Sequence, residues 1–277
     1  MLHILLGGGI FVATLVAIMI RPFKLNEAIA AAAGAALMLL GGFIRLDEIN
    51  RWSSGKMLGC SWIKYWKGKD MRPYTALADR GLLEKTIEAI GSRGIIAEFV
   101  ETRSAALNRL KKLIPAGSTV MTGASATLRE IGLEAELAGQ NHTWNYLKPG
   151  ILAEKDPAAQ IGLRRNAALA DFYLGSVQAI AETGEIVAAS GSGSQIAPYA
   201  YSSAHVIWVV GGQKIVPSLE AALQRVREYC VPKVEEMARG MGRPELGVLG
   251  KVLIFEREMP YVSRSIHLIL VNEALGF

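Results

Sequence analysis

Thr119-Val-Met-Thr-Gly-Ala-Ser-Ala-Thr-Leu-Arg-Glu-Ile-Gly-Leu133 is the stretch that decides the fold class of this chain. Residues 119–121 read as an apolar strand, 122–125 as a turn of small residues, and a helix follows at once and runs to about 137. A strand that passes through a small-residue turn into a helix is the opening of a βαβ unit, and so of a parallel sheet. The turn also lets a ligand approach backbone N–H groups at a helix N-terminus. Those groups lack intrahelical partners and sit at the positive end of the helix dipole. Thr127 and Glu130 have the spacing of a capping box, which would fix the start of the helix. Gly123, Ala124, Ser125 and Thr127 are therefore candidate ligand-binding residues. The alternative is that Gly123 and Ser125 only make a tight connection.

The chain has 277 residues, 51% of them hydrophobic, enough for a sizeable core. Its formal net charge of +5 is unevenly spread. Residues 1–72 carry nine Lys/Arg against four Asp/Glu, and the remaining 205 carry 21 of each. The globular part is neutral, so charge gives no argument for nucleic acid as a partner. The two cysteines, Cys60 and Cys230, lie far apart and have no ligand-like neighbours. No disulfide framework, metal site or cofactor is expected from them.

Two apolar stretches, 2–20 and 28–44, open the chain and are each long enough to span or nearly span a bilayer. Arg21, Pro22 and Lys24 separate them. Residues 1–50 are read as a transmembrane helical hairpin. Residues 51–73 are read as a basic linker, with Trp52, Trp62 and Trp66 among its lysines and arginines. Such a mixture suits a membrane–water interface, and the positive-inside rule would place the following domain in the cytoplasm, anchored to the inner membrane by the hairpin. A plain linker is the alternative reading. The run from Leu5-Leu-Gly-Gly-Gly to Gly41-Gly-Phe-Ile-Arg-Leu-Asp-Glu-Ile49 resembles the first membrane segments of arsenite efflux permeases. Two helices cannot build a transport path, so this resemblance implies an anchor or a fusion scar.

From 74 to 277 short apolar strands alternate with amphipathic helices. Helices are expected over 76–90, 104–113, 156–169 and 217–229. Strands are expected over 95–100, 172–175, 206–210, 251–256 and 266–271, with a hairpin over 179–189 turning at Thr183-Gly184. The fold class is α/β with an open, largely parallel sheet.

A second glycine-rich segment, Gly191-Ser-Gly-Ser194, adds a loop of donors. It matches neither a phosphate-binding loop ending in Gly-Lys-Ser/Thr nor a dinucleotide fingerprint. Gly191, Ser192, Gly193 and Ser194 are candidates for an anion or polyol pocket, or else form a mobile surface loop. Glu182 and Glu185 flank the 183–184 turn. A carboxylate there that pointed into a pocket would have a raised pKa and could act as a base; two solvated turn residues are the alternative. No Ser-His-Asp or Cys-His set can be assembled.

Three segments in order carry a family resemblance: Gly123-Ala-Ser-Ala-Thr-Leu-Arg-Glu-Ile-Gly-Leu133, Ala170-Asp-Phe-Tyr-Leu-Gly-Ser-Val-Gln-Ala-Ile-Ala-Glu-Thr-Gly-Glu-Ile-Val187 and Gly191-Ser-Gly-Ser194. Val206-Ile-Trp-Val-Val-Gly-Gly-Gln-Lys-Ile-Val216 and Ile266-His-Leu-Ile-Leu-Val-Asn-Glu-Ala-Leu-Gly-Phe277 continue the series. Together they resemble the lactate-utilisation (LUD) domain family over 74–277. The resemblance implies a fold similar to the NagB/RpiA/CoA-transferase group, with substrates over glycine-rich turns and an acidic residue doing the chemistry. The chain departs from many relatives in having no cysteine over 239–250, and in having Gln195 where relatives tend to have an arginine. A metal or iron–sulfur role in this chain itself is therefore not carried over.

Three functions follow as expectations. The first is a subunit or accessory protein of lactate or hydroxy-acid utilisation that binds a small anionic ligand or an iron–sulfur partner subunit. The second is an isomerase or acyl/CoA-transfer enzyme using Glu182 or Glu185. The third is a membrane-tethered binding or scaffold protein.

Overall fold

The computed structural model describes residues 72–139, 142–260 and 263–277. The expected membrane hairpin, and all of the linker but its last two residues, lie outside these. No helix among the described residues is long and apolar enough to cross a membrane.

The six strands of the main sheet are β1 (Ile96–Val100), β2 (Thr119–Thr122), β3 (Asn145–Tyr146), β4 (Phe172–Gly175), β7 (His205–Gly211) and β10 (Ser265–Val271). They lie in the order β1-β10-β7-β4-β2-β3, and every pairing is parallel. Parallel neighbours need long crossovers, so helices cover the sheet and its central strands are buried on both faces. The alternation of side chains makes this explicit. On β7, Val206, Trp208 and Val210 enter one core while Ile207 and Val209 enter the other. On β10, Ile266, Leu268 and Leu270 face the first core and Ile269 and Val271 the second. That is why these strands read as unbroken apolar runs.

Helix α1 (Arg80–Ser92) packs Leu83 and Ile90 into the first core; Asp79 caps it by accepting from the Leu82 amide at 2.9 Å. Helix α2 (Arg103–Leu113) packs Ala106 and Leu110 into the second. The helix expected from 125 to 137 is two short ones, α3 (Ala126–Glu130) and α4 (Leu133–Ala138). The break falls at Gly132, whose φ of 88° is left-handed and cannot continue a helix. Helices α5 (Lys148–Ala153) and α6 (Pro157–Asn166) connect β3 to β4, and Ala167–Leu169 tightens into a 3₁₀ turn. Helix α7 (Leu219–Arg225) starts after Ser218, which caps the Ala221 amide, and not at Pro217. It passes through a π turn (Val226–Cys230) into α8 (Val231–Gly240).

A second sheet was not foreseen. β8 (Ile215–Val216), β5 (Ala179–Ala181), β6 (Ile186–Ser190) and β9 (Lys251–Phe255) lie in the order β8-β5-β6-β9. The expected hairpin is its centre, with β5 and β6 antiparallel. Ile180, Ile186, Ala188 and Phe255 close the first core, while Ala179, Val187 and Val216 pack against Ala221, Ala222 and Val226.

Arg93, just past α1, pins the turn of this hairpin. Its guanidinium donates to the Thr183 carbonyl at 2.9 Å, to the Glu256 carbonyl at 2.7 Å and to the Glu185 carboxylate. Thr183 donates to the other Glu185 oxygen. Partial burial pushes the Glu185 carboxyl up, but the bonds from Thr183 and Arg93 outweigh it and hold the group below its ordinary value.

Two expectations follow. Trp208→Ala, at a side chain with no exposure that packs edge-on against Tyr199 and Phe255, destabilises the fold by about 3–5 kcal/mol in urea unfolding. Glu185→Gln removes the partner of Arg93 and costs roughly 1–3 kcal/mol at neutral pH. Because the folded carboxyl titrates low, its contribution is present above its unfolded value of about 4.3 and fades as the pH falls through the folded value. Stability of the variant measured against pH is correspondingly flatter on the acid side.

Candidate functional site

Parallel strands present all their C-terminal ends at one edge, and four of them deliver the site there. After β2 comes Ala124–Thr127, after β4 comes Ser176–Gln178, after β7 comes Lys214, and after β10 comes the segment ending in Phe277. β6 of the second sheet returns to the same place with 189–192. Together they line a cavity of about 480 Å³, closed on one side by Val234, Met237, Met241 and Leu246.

The two small-residue bends meet. Ala124, Ser125 and Thr127 line the cavity with Gly191, Ser192 and Ser194, while Gly123 and Gly193 stand behind them. Gly123 makes room for Gln195: a Cβ at 123 would lie 2.5 Å from the Gln195 Oε1 atom. Gln195 donates to the Ala189 carbonyl at 3.2 Å, and Gln178 accepts from the Ala189 amide at 2.6 Å. Gln195 thus packs against the first bend while its side chain bonds to the strand that leads into the second.

Fewer backbone donors point at the cavity than the turns suggest. The Gly123 amide donates to the Leu174 carbonyl at 3.1 Å and extends the sheet. The Gly193 and Ser194 amides bond within their own loop, to Ser190 Oγ at 3.0 Å and Ser192 Oγ at 3.3 Å. The amides of Ala124, Ser125 and Ala126 have no protein acceptor among the described residues. The capping box is also corrected. Ser125 is the N-cap, its Oγ accepting from the Leu128 amide at 3.2 Å. Thr127 lies inside α3, buried at the cavity floor, and Glu130 accepts from the Gly276 amide at 2.8 Å.

Charge in the cavity comes from side chains. Lys214 is 2% exposed, and its Nζ donates to Thr127 Oγ1, Ser176 Oγ and the Val177 carbonyl, each at 3.1 Å. Burial first, and then the nearby Arg225 charge, push its pKa down to about 7. Gly276 passes close by with a φ of 63°; a Cβ there would meet Thr127 Oγ1 at 2.4 Å. Lys148 donates to Thr122 Oγ1 at 3.4 Å, and Arg129 stands at the margin. None of these three cations is within salt-bridge distance of a carboxylate among the described residues. Glu134 is the acidic side chain in the lining. Below the floor lies Arg225, wholly buried and bonded to the Gln178 carbonyl, to the Tyr74 carbonyl at 3.3 Å and to Cys230 Sγ at 3.1 Å.

Glu182 and Glu185 are not in the lining. They occupy the turn between β5 and β6, and both strands run between that turn and the cavity. Glu185 is held by Arg93, and the Glu182 amide donates to the Val216 carbonyl at 2.9 Å. The hairpin's length carries both carboxylates to its opposite end, so this cavity does not include the two residues expected as a base. Lys214 and Lys148 were missed. The legible signal for Lys214 was a lysine two residues after Gly212, between two apolar runs at a strand's end.

The LUD domain family model matches residues 83–241, which contain most of these elements. Among solved structures, the crystal structure of a DUF162 family protein from Deinococcus radiodurans is similar at 14% identity, over 71% of this chain and 100% of that one, with a TM-score of 0.42. No curated protein matches the chain. The comparisons give no support to the resemblance of residues 1–50 to arsenite efflux permeases. With more than half of its length matched by one family model, the chain belongs to the LUD-domain family, the lactate-utilisation domain proteins.

Proposed function

We propose that this protein serves hydroxy-acid utilisation by holding a small carboxylate metabolite, lactate or a related 2-hydroxy or 2-oxo acid, in the cavity at the strand ends. The observation that carries this reading is the set of three cations, Lys214, Lys148 and Arg129, facing one cavity with no carboxylate partners among the described residues. The protonated Lys214 amine is held only by neutral oxygens, so an anion beside it gains more than it would in water and favours that form. The unbonded amides of Ala124, Ser125 and Ala126 add donors on the same side. The apolar wall from α8 suits an acid with a hydrocarbon end, and the volume leaves room for acids longer than lactate. Electron transfer falls to an iron–sulfur partner subunit in this reading. That partner rests on the family resemblance, and the exposed apolar side chains of Met241, Leu246 and Val248 supply a surface to meet it.

Calorimetric titration of the full chain with lactate, pyruvate and 2-hydroxyisocaproate tests the proposal. Saturable binding is expected, and Lys148→Ala weakens it about tenfold, the loss of roughly 1.4 kcal/mol from one charge-assisted bond. Glu182→Gln leaves the affinity unchanged. A variant pattern the other way round, with Glu182 required and Lys148 dispensable, replaces this reading with that of a carboxylate enzyme.

A further inference from the structure

Lys214 differs from the other two cavity cations. Lys148 and Arg129 are partly or fully exposed and reach inward from the margin, whereas Lys214 rises from the floor. It follows β7 directly, in a 3₁₀ turn (Gly212–Lys214), so the central strand of the sheet fixes its backbone. Its Nζ is held by two hydroxyls and one carbonyl, an environment that tolerates the ammonium and the free amine alike. With the free amine, one hydroxyl can turn to donate to nitrogen while the other oxygens keep accepting. A lysine kept only for its charge gains nothing from that arrangement; one that must lose and regain a proton does.

We propose that Lys214 is a covalent catalytic residue whose amine forms a Schiff base with the C2 carbonyl of a 2-oxo acid seated in this cavity. The inference rests on the reading of the cavity as a carboxylate-metabolite site. The amine lone pair attacks C2, and the carbonyl π pair moves to oxygen, which takes up a proton. Nitrogen loses a proton to give the neutral carbinolamine. The hydroxyl, protonated a second time, leaves as water with the C–O bonding pair, and the nitrogen lone pair closes the C=N bond. The sum is amine, ketone and one proton in, protonated imine and water out, with no oxidant or reductant consumed. Ser176 and Thr127, whose hydroxyls each lie 3.1 Å from Nζ, are placed to pass the protons. Lys148 and Arg129 are placed to hold the substrate carboxylate. The protonated imine then draws electrons from C3 and from the carboxylate carbon, which makes 2-oxo acids the substrates that gain from the step.

The titratable groups around Lys214 are Arg225 from α7, Cys230 from the turn that follows it and Glu130 from α3. Burial and Arg225 keep a substantial part of the amine unprotonated near neutral pH. A solvent-exposed lysine, with a pKa of about 10.4, has almost none.

The test is borohydride reduction of the full chain in the presence of pyruvate at neutral pH, followed by peptide mass mapping. A reduced pyruvyl adduct on the Lys214 peptide is expected. It is absent when lactate, which has no carbonyl, replaces pyruvate, and it is lost in Lys214→Arg. In Lys148→Ala the adduct still forms but needs more pyruvate. Mapping the adduct on the unaltered chain keeps the test independent of how well the Lys214 variant folds. No adduct, or one spread over surface lysines with Lys214 unmodified, overturns the inference. If lactate binds in the titration while pyruvate is not trapped, the covalent step fails and the carboxylate site stands. If nothing binds and nothing is trapped, both fail.

Discussion

Parallel pairing of β7 with β4 on one side and β10 on the other is the constraint from which the rest of the molecule follows. It forces each connection to cross the sheet, so helices on one face and the small sheet with α1 on the other are required to bury what the strands expose. It also sets every strand's C-terminal end at a common edge. Residues far apart in the chain, Thr127, Ser176 and Lys214, thereby become neighbours without any long-range motif joining them. The small sheet adds the opposite wall because β6 runs back toward that edge.

The floor of the cavity departs from the usual economy of a protein interior. Lys214 and Arg225 are both buried, near enough for the charge of one to depress the pKa of the other, and neither has a carboxylate partner among the described residues. Buried charges are normally paired, since desolvation is costly. Here the guanidinium is met by carbonyls and by the rings of Tyr74 and Tyr229, and the amine by hydroxyls and a carbonyl. Those neutral partners take up most of the donors, leaving Arg225 Nε without an acceptor among the described residues, and they do not cancel the positive potential. Uncancelled potential at the cavity floor is the feature on which the proposed anion site rests.

The strands were legible because a parallel sheet buried on both faces writes itself as continuous apolar runs, and 206–210 and 266–271 are such runs. The bends at 122–125 and 191–194 were legible from composition, since small residues are what a close backbone approach demands. The small sheet was not, because β6 and β9 are separated by some sixty residues, and β8 is only two residues long. Glu182 and Glu185 were recognised as a turn but not as a remote one. The direction a hairpin points depends on the sheet it joins, and local sequence does not encode that. Thr127 was misread for a related reason: spacing suggested a cap, whereas Ser125 two residues earlier sits just before the helix begins and takes that role. Lys214 was legible as a lysine at a strand's end between two apolar runs, but that position alone did not tell a buried amine from a solvated one.

The Arg93 clamp and the cavity lie at opposite ends of the same two strands, β5 and β6, and share no residue. One end secures the architecture and the other carries the site proposed for a small molecule. Lineages that carry this scaffold can therefore exchange residues around the opening and shift their chemical preference while the fastening at the far end stays intact. Diversification within such a family is expected to concentrate at the loops after β2, β4 and β6, with the arginine and its carboxylate drifting slowly.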